Sequence, residues 1–271
     1  MYEIIDAHAH IYPDKIASKA AVAIGDFYHI DMDCNGSVAG LLKVGQEGGV
    51  SRYLVHSVAT TPHQVTSINR FLLEQIKLHP EFIGFMTLHQ DLTEDEIASE
   101  VDFCIQNGFH GIKLHPDFQK FRIDSPEAHK IYDVVNGRLP ILFHTGDKRY
   151  DYSNPYQLSS VAKEYPHSYF IGAHFGGYSV WDQAEKYLPG HKNLFVDCSS
   201  CFFAMRDEEI RHYIRLFGAD RVLFGTDYPM WKVKPEVDRL LSLGLSDDEY
   251  EAIFHENAER VYKIGKNALS V

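Results

Sequence analysis

Short apolar runs open near Ile4, Tyr53, Phe82, His110, Pro140, Ser168, Asn193 and Arg221, and after a first interval of 49 residues they recur at 29, 28, 30, 28, 25 and 28. Such a period has room for one strand, one helix and two short loops, so the chain reads as a succession of βα units. Parallel strands buried on both faces should be continuously apolar, as "RYLVHSVA", "FIGFMTLH" and "NLFVDCS" are. Helix starts lie between them. Thr93 with Glu96 spells a capping box, Ser125-Pro126 opens "EAHKIYDVVNG", and Ser246 with Glu249 opens a last helix expected over Tyr250–Ile264. Eight units in 271 residues predict an α/β fold, a distorted (β/α)8 TIM barrel forming a single domain over 1–271. An open doubly wound sheet is the rival, but it usually has fewer strands and would show a glycine-rich fingerprint after strand one, absent here. The long first interval predicts an insertion after strand 1, roughly Ile11 to Gly49, turn-rich and polar around "GDFYHIDMDCNG". With the loop "KRYDYSNPY" after strand five, it would sit at the C-terminal mouth of a barrel, where loops build pockets.

Composition excludes several functions. The formal charge of -12, with no basic block, argues against a phosphate-backbone partner, so nucleic acid is not expected. There is no basic segment leading into an apolar stretch at the N-terminus and no run of eighteen apolar residues, so neither export nor membrane insertion is expected, and the location read from sequence is cytoplasmic. Four cysteines, at 34, 104, 198 and 201, do not make a secreted disulfide framework, and "CSSC" lacks the residues of a thioredoxin turn. The sixteen histidines direct attention to metal and proton chemistry.

On the expected strands, His8 and His10 end strand one, His144 ends strand five, His174 strand six and Asp227 strand eight. In a barrel those ends converge on one mouth, and a period of two sends His8 and His10 to the same, inward side. Imidazoles and a carboxylate in this number suit a catalytic ion of the zinc type with an open position. His56 and His89, alone at their strand ends, read as hydrogen-bonded loop residues and are left out of the set.

The motifs "DAHAH", "GIKLHP", "ILFHTGD", "AHFGG" and "FGTDYP" resemble the amidohydrolase superfamily along nearly the whole chain, in particular the amidohydrolase-related branch that includes aminocarboxymuconate semialdehyde decarboxylase. The resemblance implies that His8, His10, His144 and Asp227 hold one divalent metal ion, Zn2+ with Mn2+ as the alternative, and that His174 is an acid/base or substrate-polarising group. It also implies a single ion rather than two bridged by a carbamylated Lys113. Lys113 and His115 on strand four are expected to contact substrate, with orienting a metal ligand as the alternative for His115, and Lys148, Arg149, Tyr150 and Tyr152 beyond strand five to receive a carboxylate. The activity expected first is hydrolysis of a small amide, ester or lactone by metal-activated water, with Asp227 taking the proton. The alternative is non-oxidative decarboxylation of a small unsaturated or aromatic acid, disfavoured because such enzymes carry longer insertions, and a metal held for structure alone is the non-enzymatic reading. A small-molecule substrate is the expected partner, with a homodimer left open.

Overall fold

The structure, a computed structural model, describes residues 2–265; Met1 and 266–271, the ends of the expected 1–271 domain, lie outside the described residues. Eight parallel strands stand in chain order in one sheet: β1 (Ile5–His10), β2 (Arg52–His56), β3 (Phe82–Thr87), β4 (Gly111–Leu114), β5 (Ile141–Phe143), β6 (Phe170–Gly172), β7 (Leu194–Asp197) and β8 (Val222–Leu223). The sheet curls into a nearly closed barrel. Where β8 meets β1 there is no continuous ladder: Ala7 N–H donates to the Phe224 carbonyl at 2.8 Å, His10 N–H to the Tyr228 carbonyl at 2.7 Å, and Asp227 N–H to the His8 carbonyl at 2.8 Å.

The first interval holds two helices, α1 (Asp14–Tyr28) and α2 (Val38–Gly48). The expected turn-rich insertion is therefore largely helical. The buried residues of α1 are Ala17, Ala21 and Gly25, small side chains every fourth position; at Gly25 a Cβ would sit 2.7 Å from the Ile30 carbonyl oxygen, so this face lies against the chain that follows the helix, while Ile24 and Tyr28 line the cavity at the barrel mouth. Around the ring follow α3 (Val65–Leu78), α4 (Glu94–Gln106), the single turn α5 (Pro116–Gln119), α6 (Pro126–Val135), α7 (Pro155–Glu164), α8 (Trp181–Tyr187), α9 (Asp207–Phe217) and α10 (Val233–Leu241). The capping boxes form as expected, with Glu96 N–H donating to Thr93 Oγ at 3.3 Å and Glu249 N–H to Ser246 Oγ at 3.3 Å. The last helix, expected over Tyr250–Ile264, begins earlier and changes pitch: α11 (Asp247–Glu251) passes through a π-turn at Ala252–Glu256 into α12 (Asn257–Tyr262).

Two apolar regions follow from the strand period. Residues such as Val55, Ile112, Phe143 and Val196 face outward against the helices. Ile5, Ala7, Leu54, Phe85, Leu142, Ile171, Phe195 and Leu223 fill the barrel interior, whose floor is closed by Ala258, Val261 and Tyr262 of α12. The mouth at the opposite end holds the polar groups.

A bulge in β1 decides how those groups point. Ile5 and Ala7 face the interior, yet Ala9 belongs to the outer layer. The pairing register with β2 shifts between Asp6 and Ala9: Asp6 faces Tyr53 and Ala9 faces Val55, so one extra residue is accommodated in β1. That slip turns His8 and His10 inward, on from Ala7. Asp6, fully buried, secures the slip by accepting from His8 N–H at 3.1 Å, from Thr226 N–H at 3.0 Å and from the Thr226 hydroxyl at 2.5 Å.

Candidate metal centre

The ends of β1, β4, β5, β6 and β8 deliver polar side chains into one small cavity, lined by His8, His10, Lys113, His115, His144, His174 and Asp227 among others. Two of these need unusual backbone: His174 at φ 61° and Asp227 at φ 58° occupy the left-handed region, strain of the kind that persists where surrounding structure enforces it. Close approach also matters at Gly225, where a Cβ would sit 2.9 Å from the Cβ of His8.

The hydrogen bonds fix which ring nitrogens carry protons. His8 Nδ1 faces Asp197 Oδ2 at 2.9 Å, so that nitrogen donates and Nε2 keeps its lone pair. His174 Nδ1 donates to the Ser199 carbonyl at 2.9 Å, and His144 Nε2 donates to the Gly146 carbonyl at 2.8 Å. The remaining nitrogens of these two rings, His174 Nε2 and His144 Nδ1, then face each other as lone pairs 3.1 Å apart. Two lone pairs at that separation repel unless a positive charge lies beside them. His8 Nε2 and His10 Nε2 lie 3.3 and 3.5 Å from the same oxygen, Asp227 Oδ1, while Asp227 Oδ2 accepts from the Ser200 hydroxyl at 2.6 Å. His10 Nδ1 is buried with no hydrogen-bond partner among the described residues. A buried carboxylate oxygen with neutral imidazoles converging on it, and orphaned ring nitrogens around it, fits a divalent cation of the zinc or manganese type.

Electrostatics agree with that donor set. Burial brings the imidazoles of His10 and His174 down to about 4 and takes His56, His115 and His144 well below the ordinary range, so these rings are neutral near pH 7 and able to ligate. Burial works against ionisation of Asp227, but the nearby His8, the hydrogen bond from His10 and the proximity of His174 together pull its carboxyl well below the usual range. Asp197 is likewise drawn down against burial by His8, His174 and Ser199. Lys113, fully buried, donates to His8 Nε2 at 3.0 Å, and burial lowers its ammonium to about 8.

The structure brings His8, His10 and Asp227 together, places His144 against His174, and sets Lys113 and His115 in the same cavity. It does not bring Lys148, Arg149 and Tyr150 there. Lys148 is exposed, with its backbone N–H on Ser179 Oγ at 3.0 Å. Arg149 is engaged by the Asp147 carboxylate, NH2 to Oδ2 at 2.7 Å, and donates to the Phe27 carbonyl with its guanidinium over the Phe27 ring. Tyr150 stacks on Phe27, and Tyr152 on Tyr150. The Arg149 guanidinium is thus taken up by Asp147 and by fastening α1.

Several residues were not legible in the pattern. His56, set aside on sequence as a loop residue, ends β2 fully buried, both ring nitrogens without a hydrogen-bond partner among the described residues, its ring edge-on to His10 at 4.3 Å. The potential ligand atoms of His8, His10 and His56 lie within 4.8 Å of one another, as do those of His8, His174 and Asp197. Asp197 ends β7 as Asp227 follows β8, a signal present in "NLFVDCS". Ser199 and Ser200, inside "CSSC", orient His174 and Asp227, while the four cysteines are free. His89 is the loop residue expected, accepting from Asp91 N–H at 3.2 Å.

The chain as a whole is similar to known proteins. The family model described as amidohydrolase covers residues 5–264. "Uncharacterized protein y4mH" of Sinorhizobium fredii (strain NBRC 101917 / NGR234) is 24% identical over 204 residues, spanning 65% of this chain and 68% of that protein. Among solved structures, 5-carboxyvanillate decarboxylase LigW from Sphingomonas paucimobilis superposes with a TM-score of 0.76 at 14% identity over 98% of this chain and 100% of LigW. Dihydroxybenzoic acid decarboxylase from Polaromonas sp. JS666, with bound manganese and the inhibitor 2-nitroresorcinol, gives a TM-score of 0.73 at 18% identity over 97% of each chain. At these identities the two structures establish a shared barrel. No helix among the described residues is long and apolar enough to cross a membrane. With the family model matched from the first residue of β1 to beyond the end of α12, the chain belongs to the amidohydrolase family.

Proposed function

We propose that this amidohydrolase-family protein is a metal-dependent carboxy-lyase that releases CO2 from a small hydroxylated aromatic acid. The observation that carries the reading is the make-up of the cavity: a buried ammonium, Lys113, and a cluster of candidate metal ligands, walled by Ile24, Met32, Phe118, Pro229 and Met230. A flat ring suits that wall. His115 is stacked between Phe118, at 3.7 Å and 8°, and His144, at 4.1 Å and 6°, face-to-face and closer than most aromatic pairs, so flat rings already line this side of the cavity. Chain length does not count against decarboxylation, since this chain covers LigW along its whole length. The decarboxylases among the solved neighbours and the manganese in one of them support the same reading.

His8, His10, His144 and Asp227 would hold the divalent ion, which when bound supplies a positive charge for the acid's carboxylate and the oxygen beside it. Lys113 adds a second buried cation, and the apolar wall strips water from the carboxylate, whose ionic form then gains from leaving as neutral CO2. In that step the bond between ring carbon and carboxyl carbon breaks, its electron pair stays on the ring carbon, and a proton takes the vacated position. His174, with its Nδ1 proton committed to the Ser199 carbonyl and Nε2 a lone pair, would take the proton of the substrate's ring hydroxyl on Nε2 and return it to the vacated ring carbon. The test is to supply the metal-loaded protein with dihydroxybenzoates and 5-carboxyvanillate in one series and with lactones, esters and amides in another. CO2 release matching loss of the acid, abolished by a chelator, is expected; hydrolysis without CO2 from any acid would return the chain to the hydrolytic reading.

A further inference from the structure

Tyr28, the last residue of α1, reaches from the first-interval insertion into the cavity beside the candidate metal ligands. Its hydroxyl has two neighbours, His115 Nε2 at 2.9 Å and His144 Nε2 at 3.4 Å. Both are donors. His115 Nδ1 accepts from Phe118 N–H at 3.3 Å, so the proton of that ring is on Nε2 and points at the tyrosine oxygen. His144 Nε2 gives its proton to the Gly146 carbonyl at 2.8 Å and cannot accept another. The tyrosine oxygen thus receives a hydrogen bond while its own O–H has no acceptor among the described residues, on a wall of the cavity where substrate must lie. A donor in that position is costly unless something accepts from it.

The hydroxyl is also held in place. The Tyr28 ring packs edge-on against Tyr178 at 5.3 Å, and Arg149, fixed by Asp147, lies over the rings of both Phe27 and Tyr28. Moving the hydroxyl oxygen out of the cavity would require moving the end of α1, while the O–H turns about its C–O bond toward an acceptor in the cavity.

We infer that Tyr28 is a substrate-binding residue that donates its hydroxyl proton to an anionic oxygen, carboxylate or phenolate, of the bound aromatic acid, an inference that rests on the carboxy-lyase reading for the class of ligand. The insertion after β1 then contributes directly to specificity, selecting acids over their uncharged analogues. Accepting from His115 sharpens the donor, because hydrogen bonds in a chain polarise one another.

The experiment is calorimetric titration, at pH 7, of salicylate and of its uncharged amide, salicylamide, into metal-loaded wild type and Tyr28→Phe, with metal content measured on both. Loss of a hydrogen bond to a charged group should weaken salicylate by ~10- to 100-fold, while salicylamide, which at most loses a neutral bond, should weaken by no more than a few-fold. Metal content should not change. Equal weakening of both ligands would make Tyr28 a packing residue, and unchanged salicylate affinity would remove it from the site; either result overturns the inference while leaving the carboxy-lyase reading standing. If wild type binds no acid at all, the inference falls together with that reading.

Discussion

His174 and His144 are neighbours whose substitutions should separate proton chemistry from ligation. His174 is tied to Ser199 by one nitrogen and faces His144 with the other, while His8, His10, His144 and Asp227 remain as ligands without it. His174→Asn should therefore keep the fold and most of the metal and lose activity by ~10²- to 10⁴-fold, the range for removing one positioned proton-transfer group. His144→Asn should lose metal and activity together. Metal content and turnover on the two variants decide it, and a metal-free His174→Asn would mean that the ligands are misassigned. That these residues could be found from sequence at all reflects the repeat, since an ionisable ring at the end of an apolar run has few uses in a core. What stayed hidden depends on partners distant in the chain. Asp197 is 189 residues from His8, whose Nδ1 it holds, and the Asp6 carboxylate that secures the β1 bulge is 220 residues from Thr226. Neither pairing leaves a local pattern.

At the scale of elements, the strands and most helices could be read because each carries its own signal, period or cap. The insertion was harder. Its α1 buries alanines and a glycine rather than large apolar residues, a pattern that looks weak until the helix is seen packed against the chain that follows it. The π-turn at Ala252–Glu256 has no sequence mark that we recognise. One helix also carries a buried charge with a measurable consequence. Glu236, on the buried face of α10, has its carboxyl raised from 4.5 to about 8 by burial, with Asp33, Asp6 and Asp227 adding to the rise and Arg239 opposing it. The native state binds a proton that the unfolded chain gives up more easily, so the associated stability is fully present below about pH 4.5 and is lost as pH rises through about 8. Glu236→Gln, neutral at every pH, should match wild type near pH 4.5 and exceed it at pH 9 by on the order of 1–3 kcal/mol. Urea unfolding at the two pH values tests this. An equal difference at both would mean that the carboxyl is ionised in the folded protein throughout.

For the molecule as a whole, the barrel divides labour along its axis. Apolar interior layers and α12 close the floor, and the polar ligand candidates, His174 and Asp227 among them in left-handed backbone, gather at the mouth. Overall charge, -12, contributes nothing to that site beyond making its buried cation, Lys113, an exception. The central claim is that this mouth is built around one divalent ion held by His8, His10, His144 and Asp227. Elemental analysis of protein purified without added metal, for wild type and for Asp227→Ala, tests it most directly. The account predicts about one zinc or manganese ion per wild-type chain, removable by chelation together with activity, and much less in the variant, because open catalytic sites rely on few protein ligands. Wild-type protein that is free of metal and fully active would contradict it.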